Sequence, residues 1–138
     1  MKELLKALSD VQSELADPVR NTDGYGYQYA ELHQILTSIR EACSKHGLLV
    51  VQAPSSEPGD IVTVTTTIYH VGTGQSISST ISGSCAGSSK MAQAIGSMIT
   101  YLRRYSLMPM FSMAPVDDDG AAVSTAEAKK PSKDLDFI

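Results

Sequence analysis

The chain has 138 residues, 42% of them hydrophobic, a net charge of −4 and two cysteines. That length supports a single core, and no apolar run approaches the roughly 20 residues of a membrane span. Lys2, Glu3 and Lys6 break the stretch that a signal peptide would need, so a cytoplasmic protein is expected, with Cys43 and Cys85 as small buried residues rather than a disulfide framework.

The acidic total conceals an uneven distribution. Residues 1–116 carry eight Lys/Arg against nine Asp/Glu, net −1, and residues 117–138 carry three against six, net −3. The first segment reads as one domain and the second as an acidic, disordered tail. A nearly neutral body excludes a broadly basic, histone-like binder, but it leaves room for a local cationic stripe, because phosphate binding follows local potential.

Residues 2–16 have helical spacing, with Leu4, Leu5, Leu8, Val11 and Leu15 on one face and Asp17-Pro18 as the stop. Residues 19–28 form a loop in which Tyr25, Tyr27 and Tyr29 alternate next to Arg20. Such rings beside a cation can stack on unpaired bases, or they can anchor the loop to the domain. A second helix is predicted from Tyr29 to His46, with Leu32, Ile35, Leu36, Ile39 and Cys43 inside and Gly47 ending it. Lys45 and His46 fall in its last turn, where they complement the helix dipole or, for Lys45, meet DNA.

The period then becomes two. Leu48–Gln52 reads as a short strand, 54–60 as a loop, Ile61–His70 as a β-branched strand, 71–74 as a hairpin turn and Gln75–Ser82 as a third strand. One parity of that third strand is Ser76, Ser78, Thr80 and Ser82, a hydroxyl-rich face compatible with solvent, phosphates or another strand. After a Gly/Ser-rich link, residues 90–105 form a long amphipathic helix. On a helical wheel Met91, Ile95, Met98, Ile99 and Leu102 share one side, while Lys90, Gln93, Ser97, Thr100 and Arg104 form the opposite stripe, with Arg103 and Tyr101 on its flank. Small residues in mid-stripe and cations at its ends suit close approach by a polyanion or a second subunit. Residues 106–115 read as an apolar segment closing over the core. The fold class is therefore α+β: two N-terminal helices, a three-stranded antiparallel meander, then one long helix.

Several catalytic patterns are approached and missed. Gly83-Ser84-Cys85-Ala86-Gly87 has the outline of a nucleophile elbow, but that architecture needs a parallel sheet and a later histidine, and all three histidines precede Cys85. The glycine spacing before Lys90 does not match a phosphate loop, and His33, His46 and His70 lack the paired spacing of zinc ligands. No enzyme activity and no required cofactor are expected. Asp117–Asp119 can attract a divalent cation or simply form a solvated boundary.

Gln93, Ala94, Gly96, Ser97, Thr100, Tyr101, Arg103, Arg104 and Tyr105, followed by Asp117-Asp118-Asp119-Gly120, resemble the signature block of the Erf (essential recombination function) family of phage single-strand annealing proteins. Tyr29-Ala30-Glu31-Leu32 is similar to a second, shorter family motif, and the likeness covers roughly residues 1–120. It implies a β-β-β-α annealing core and an ATP-independent protein that coats single-stranded DNA and pairs complementary strands as a ring or helical homo-oligomer. Residues matched or flanking on this reading are Lys90, Gln93, Ser97, Thr100, Arg103 and Arg104; Tyr25, Tyr27, Arg20 and Lys45 are further candidate DNA contacts on their residue types alone, and Arg103 has an ion pair between subunits as its alternative role. The tail, ending Lys133-Asp-Leu-Asp-Phe-Ile138, is similar to the acidic tips of bacterial single-strand-binding proteins. It is a candidate docking segment for a host single-strand-binding or replication protein, or a competitor for the protein's own DNA groove, with a phage exonuclease as another candidate partner. The competing classes are a passive single-stranded DNA-binding protein and a structural oligomeric adaptor.

Overall fold

Helix α1 spans Lys2–Glu14 and buries Leu4, Ala7, Leu8 and Val11, the i, i+3, i+4, i+7 stripe of one helical face. The structure, a computed structural model, describes residues 1–24 and 28–117. Helix α1 ends two residues before the expected stop, because Pro18 is incompatible with a helical carbonyl four residues back at Glu14 and disfavours helical geometry at Asp17.

The segment expected as a loop contains short strands β1 (Val19–Arg20), β2 (Thr22–Asp23) and β3 (Gln28–Tyr29). Strands β2 and β3 pair antiparallel, with Thr22 opposite Tyr29, and this pairing takes Tyr29 out of the second helix. Helix α2 therefore runs Leu32–Lys45 and buries Ile35, Ile39, Ala42 and Cys43. Gly47 ends it at φ 73, a left-handed position that strains any residue with a Cβ.

The main sheet has the order β4-β5-β6, antiparallel throughout, with β4 spanning Leu48–Glu57, β5 Ile61–His70 and β6 Ser76–Ser84. Strand β4 runs through Pro54–Glu57, which the sequence predicts as loop, and stays in register with β5 as far as Glu57 opposite Ile61. Proline is tolerated there because β4 is an edge strand, and Ser55 and Thr63 join their hydroxyls across the pair at 2.6 Å. The turn is confined to Pro58–Asp60, with Gly59 at φ 87 and Asp60 at φ 60.

Alternation divides the sheet into two faces. On one, Val62, Val64, Thr66 and Ile68 of β5 are buried under the helices. On the other, Leu49, Val51, Thr65, Thr67, Tyr69, Ser78 and Thr80 face outward, and Thr65 and Thr67 pair their hydroxyls with Thr80 and Ser78 at 2.8 and 2.7 Å.

Helix α3 (Met91–Met110) crosses the covered face. It continues five residues past the expected end, through Pro109, because proline in a last turn forfeits a single backbone bond while Leu107, Met108 and Phe111 reach the core. Ser112 at φ 55 then turns the chain, with the Met113 amide donating to the Met108 carbonyl at 2.9 Å, a Schellman closure. Strand β7 (Val116–Asp117) returns to pair parallel with β1.

The core is divided in two. One cluster joins α1, α2 and the C-terminal half of α3 to Leu48 and Ile68. The other packs Met98 and Leu102 on Val62, Val64 and Cys85. Thr66 lies between these groups on β5, and Ser106 lies between them on α3. The α+β class and the order of helices and main-sheet strands are those that the sequence predicts.

Candidate nucleic-acid interface

Helix α3 presents Lys90, Gln93, Ser97 and Thr100 to solvent, as the wheel requires. Between them Gly96 faces open space among the described residues, since a Cβ built there would meet none of their atoms within 4 Å. The Thr100 hydroxyl donates to the Gly96 carbonyl at 3.2 Å. Four of the five stripe residues thus form a shallow polar surface without large side chains in its middle.

Arg104 departs from the stripe and corrects the wheel: it is only 6% exposed. Its guanidinium carbon lies 4.4 Å from the ring centroid of Tyr29, 5.0 Å from Tyr105 and 6.0 Å from Tyr101. The Tyr101 and Tyr105 rings lie tilted at 53° with centroids 4.6 Å apart. The wheel treats a helix as having one covered face, whereas the β2–β3 pair brings Tyr29 over a second side of α3. The aromatic faces supply the electrostatic partner, and Nε is left without a hydrogen bond.

Arg103 is held differently. Its Nε donates to Gln52 Oε1 at 3.0 Å, while Gln52 Nε2 donates to the Arg103 carbonyl at 3.1 Å and to Thr66 Oγ1 at 3.0 Å. Thr66 and Ser106 join their hydroxyls at 2.6 Å in the buried layer beneath. A guanidine N–H can only donate and a carbonyl can only accept, so these partners fix which way the Gln52 amide points. The half-buried Arg103 side chain has no hydrogen-bond partner other than Gln52 among the described residues, so its two Nη groups are left as donors.

The remaining candidates separate. Lys45 pairs with Glu14 of α1 at 3.7 Å, in a group where His46 also bonds Glu14 and lies 3.9 Å from Asp10. Hydrogen bonding from His46 lowers the Glu14 carboxyl below its ordinary value. This cluster ties α1 to α2, and exposed pairs of this kind contribute little stability. Arg20 is half-buried in β1, opposite Asp117 in register. Tyr25 and Tyr27, Asp118 and Asp119 of the acidic run, and the tail segment ending at Ile138 all lie outside the described residues.

Neither cysteine is arranged as a nucleophile: both are buried, and burial pushes the Cys43 thiol up to about 11. Among the described residues no cluster of His, Cys, Asp or Glu could hold a metal ion, and no helix is long and apolar enough to cross a membrane.

Sequence reasoning misses Gln52, Thr66 and Ser106 as site residues. The available signal is a polar residue at a core parity: Gln52 follows Leu48 and Val50, and Thr66 interrupts Val62, Val64 and Ile68. Only the register, which sets Gln52 opposite Thr66, shows that the two interruptions meet.

A β-β-β-α unit whose final helix carries a polar stripe, a forked donor and a ring-bound cation defines an α+β protein. The chain belongs to the ERF superfamily, whose family model matches residues 4–135. At the level of that family, its function is of the phage recombination and single-strand annealing type. No curated protein and no solved structure shows a significant match to the chain.

Proposed function

We propose that this protein binds single-stranded DNA and anneals complementary strands without ATP, using the exposed side of α3 as the phosphate-facing surface. The observation that carries this reading is Arg103, whose Nη donors are free among the described residues and whose position on α3 flanks the stripe of Lys90, Gln93, Ser97 and Thr100 on the helical wheel. Annealing must neutralise two like-charged backbones while leaving base edges free, so its contacts belong on phosphates. No nucleotide or metal cofactor takes part in this scheme, which is one of binding rather than of enzymatic turnover.

The protein acts on this reading as a homo-oligomer in the bacterial cytoplasm. Among the described residues β4 and β6 are the edges of the main sheet, and unpaired edges are templates for another chain. Repetition of α3 around an assembly turns one short stripe into a continuous groove, which compensates for a net-acidic protomer. The acidic tail recruits a host replication protein rather than touching DNA.

The test mixes labelled complementary oligonucleotides and follows pairing by fluorescence energy transfer in buffer without ATP. Pairing faster than for the naked strands is expected. Binding to each strand with no gain in pairing would instead identify a passive single-strand-binding protein, and no binding at low salt would identify a structural adaptor.

A further inference from the structure

Adjacent arginines on α3 are fixed by unrelated means, and the means used at position 103 has a consequence for binding. Gln52 reaches Arg103 twice, accepting from the side-chain Nε at 3.0 Å and donating to the main-chain carbonyl at 3.1 Å. Its amide is itself fixed by Thr66 Oγ1 at 3.0 Å, and Thr66 is fully buried. A long, flexible side chain is thereby tied to its own backbone through a residue on another element. The remaining Nη donors are the part of the fork that matches a phosphate.

We propose that Gln52 is a positioning residue of the DNA-binding surface: it presets the Arg103 guanidinium so that its Nη fork meets a backbone phosphodiester of single-stranded DNA with little ordering left to do. The proposal rests on Arg103 being a phosphate contact. Gln52 itself touches no DNA and contributes no charge. Its effect is to remove rotamer freedom from Arg103 before binding, which otherwise weakens association at every occupied protomer. Two apolar clusters could have been joined by an apolar residue at position 52; the amide is the side chain that can serve both a donor and an acceptor of Arg103 at once.

Binding of fluorescein-labelled oligothymidylate, measured by anisotropy across a salt series, separates the roles. Arg103→Ala should weaken binding and reduce the slope of log K against log salt by about 0.7 per lost phosphate contact. Gln52→Met, which keeps length and packing while losing both hydrogen bonds to Arg103 along with those to Thr66 and Ser106, should weaken binding about three- to tenfold with the slope unchanged, because the charge still reaches DNA. The double variant should bind no more weakly than Arg103→Ala alone. Gln52→Glu retains an acceptor for Nε but neutralises the fork, so it should lower both affinity and slope.

Circular dichroism and sedimentation confirm that each variant is folded and assembled as the parent. If Arg103→Ala leaves affinity and slope unchanged, the phosphate contact fails and the positioning role fails with it. If Arg103→Ala behaves as stated but Gln52→Met binds like the parent, or adds its loss in full to the double variant, the positioning role alone is overturned. A Gln52→Met protein whose assembly state changes would assign the clamp to a subunit contact and overturn the proposal equally.

Discussion

Substituting Gly83 by Ala tests how α3 is seated on the sheet. A Cβ at this position of β6 would lie 2.3 Å from Met98 Sδ, 2.6 Å from Cε and 3.4 Å from Cγ. Met98 is 1% exposed, enclosed with Val62, Val64, Cys85 and Leu102, so its thioether cannot swing into solvent. The helix must lift or the side chain must leave its rotamer, a small-to-large change that costs about 1–3 kcal/mol. Met98→Ala alone leaves a cavity worth about 2–5 kcal/mol, but it also opens the space that the new methyl group needs. The double variant should therefore cost less than the two single changes together, by about 1–2 kcal/mol. Urea denaturation followed by circular dichroism measures all three. Additive losses would show that residue 83 does not press on Met98, and that the helix is seated elsewhere than on β6.

Gly96→Ala should stabilise the isolated protomer by about 1 kcal/mol, because nothing among the described residues meets the added methyl group and helix-interior glycine is unfavourable; loss of DNA affinity or assembly in the same variant would show that close approach requires this glycine, and unchanged stability would refute the helical account. Arg104→Ala should lower stability by about 2 kcal/mol, from two ring contacts at 4.4 and 5.0 Å of roughly 1–2 kcal/mol each when desolvated, partly offset by removal of the unbonded Nε. A melting temperature within 2 °C of the parent, against an expected fall of about 6–10 °C, would refute the cage. Glu14 should titrate below its ordinary 4.5 by NMR and move back upward in His46→Ala, since the His46 hydrogen bond is the largest cause of the lowering. Because the folded carboxyl keeps its charge to lower pH than the unfolded one, its contribution is fully present above pH 4.5 and lost as pH falls through the lowered folded value. His46→Ala should flatten that acid limb, and an unchanged Glu14 titration would remove the α1–α2 clasp.

How far the sequence discloses this fold depends on whether a residue's neighbours are local. Strand β5 is legible to its ends, since β-branched residues alternate between two turns and both of its edges are paired. The second half of β4 is not: Pro54, Ser55, Ser56 and Glu57 carry no apolar alternation, and their strand geometry comes from backbone bonds to β5. The end of α3 is hidden for a related reason, because Pro109 marks a stop locally while Leu107, Met108 and Phe111 gain burial at long range. At the candidate site the exposed residues Lys90 to Thr100 follow from the helical wheel. Arg104 does not, because Tyr29 reaches it from a strand pair more than seventy residues earlier in the chain.

Neutral groups hold both arginines: an amide at Arg103, and phenol rings at Arg104. Among the described residues neither makes an ion pair. A carboxylate partner would bind either guanidinium more firmly, but it would cancel the charge that the pair presents beyond the protomer. Rings and amides restrain position while leaving the field intact, so even the buried Arg104 adds to the potential within about one Debye length, roughly 8 Å at physiological salt. Consecutive helical positions point about 100° apart, and two different supports are needed to fix both. On a chain with net charge −4, two adjacent cations held without being neutralised keep the local positive potential that the proposed phosphate-facing surface requires.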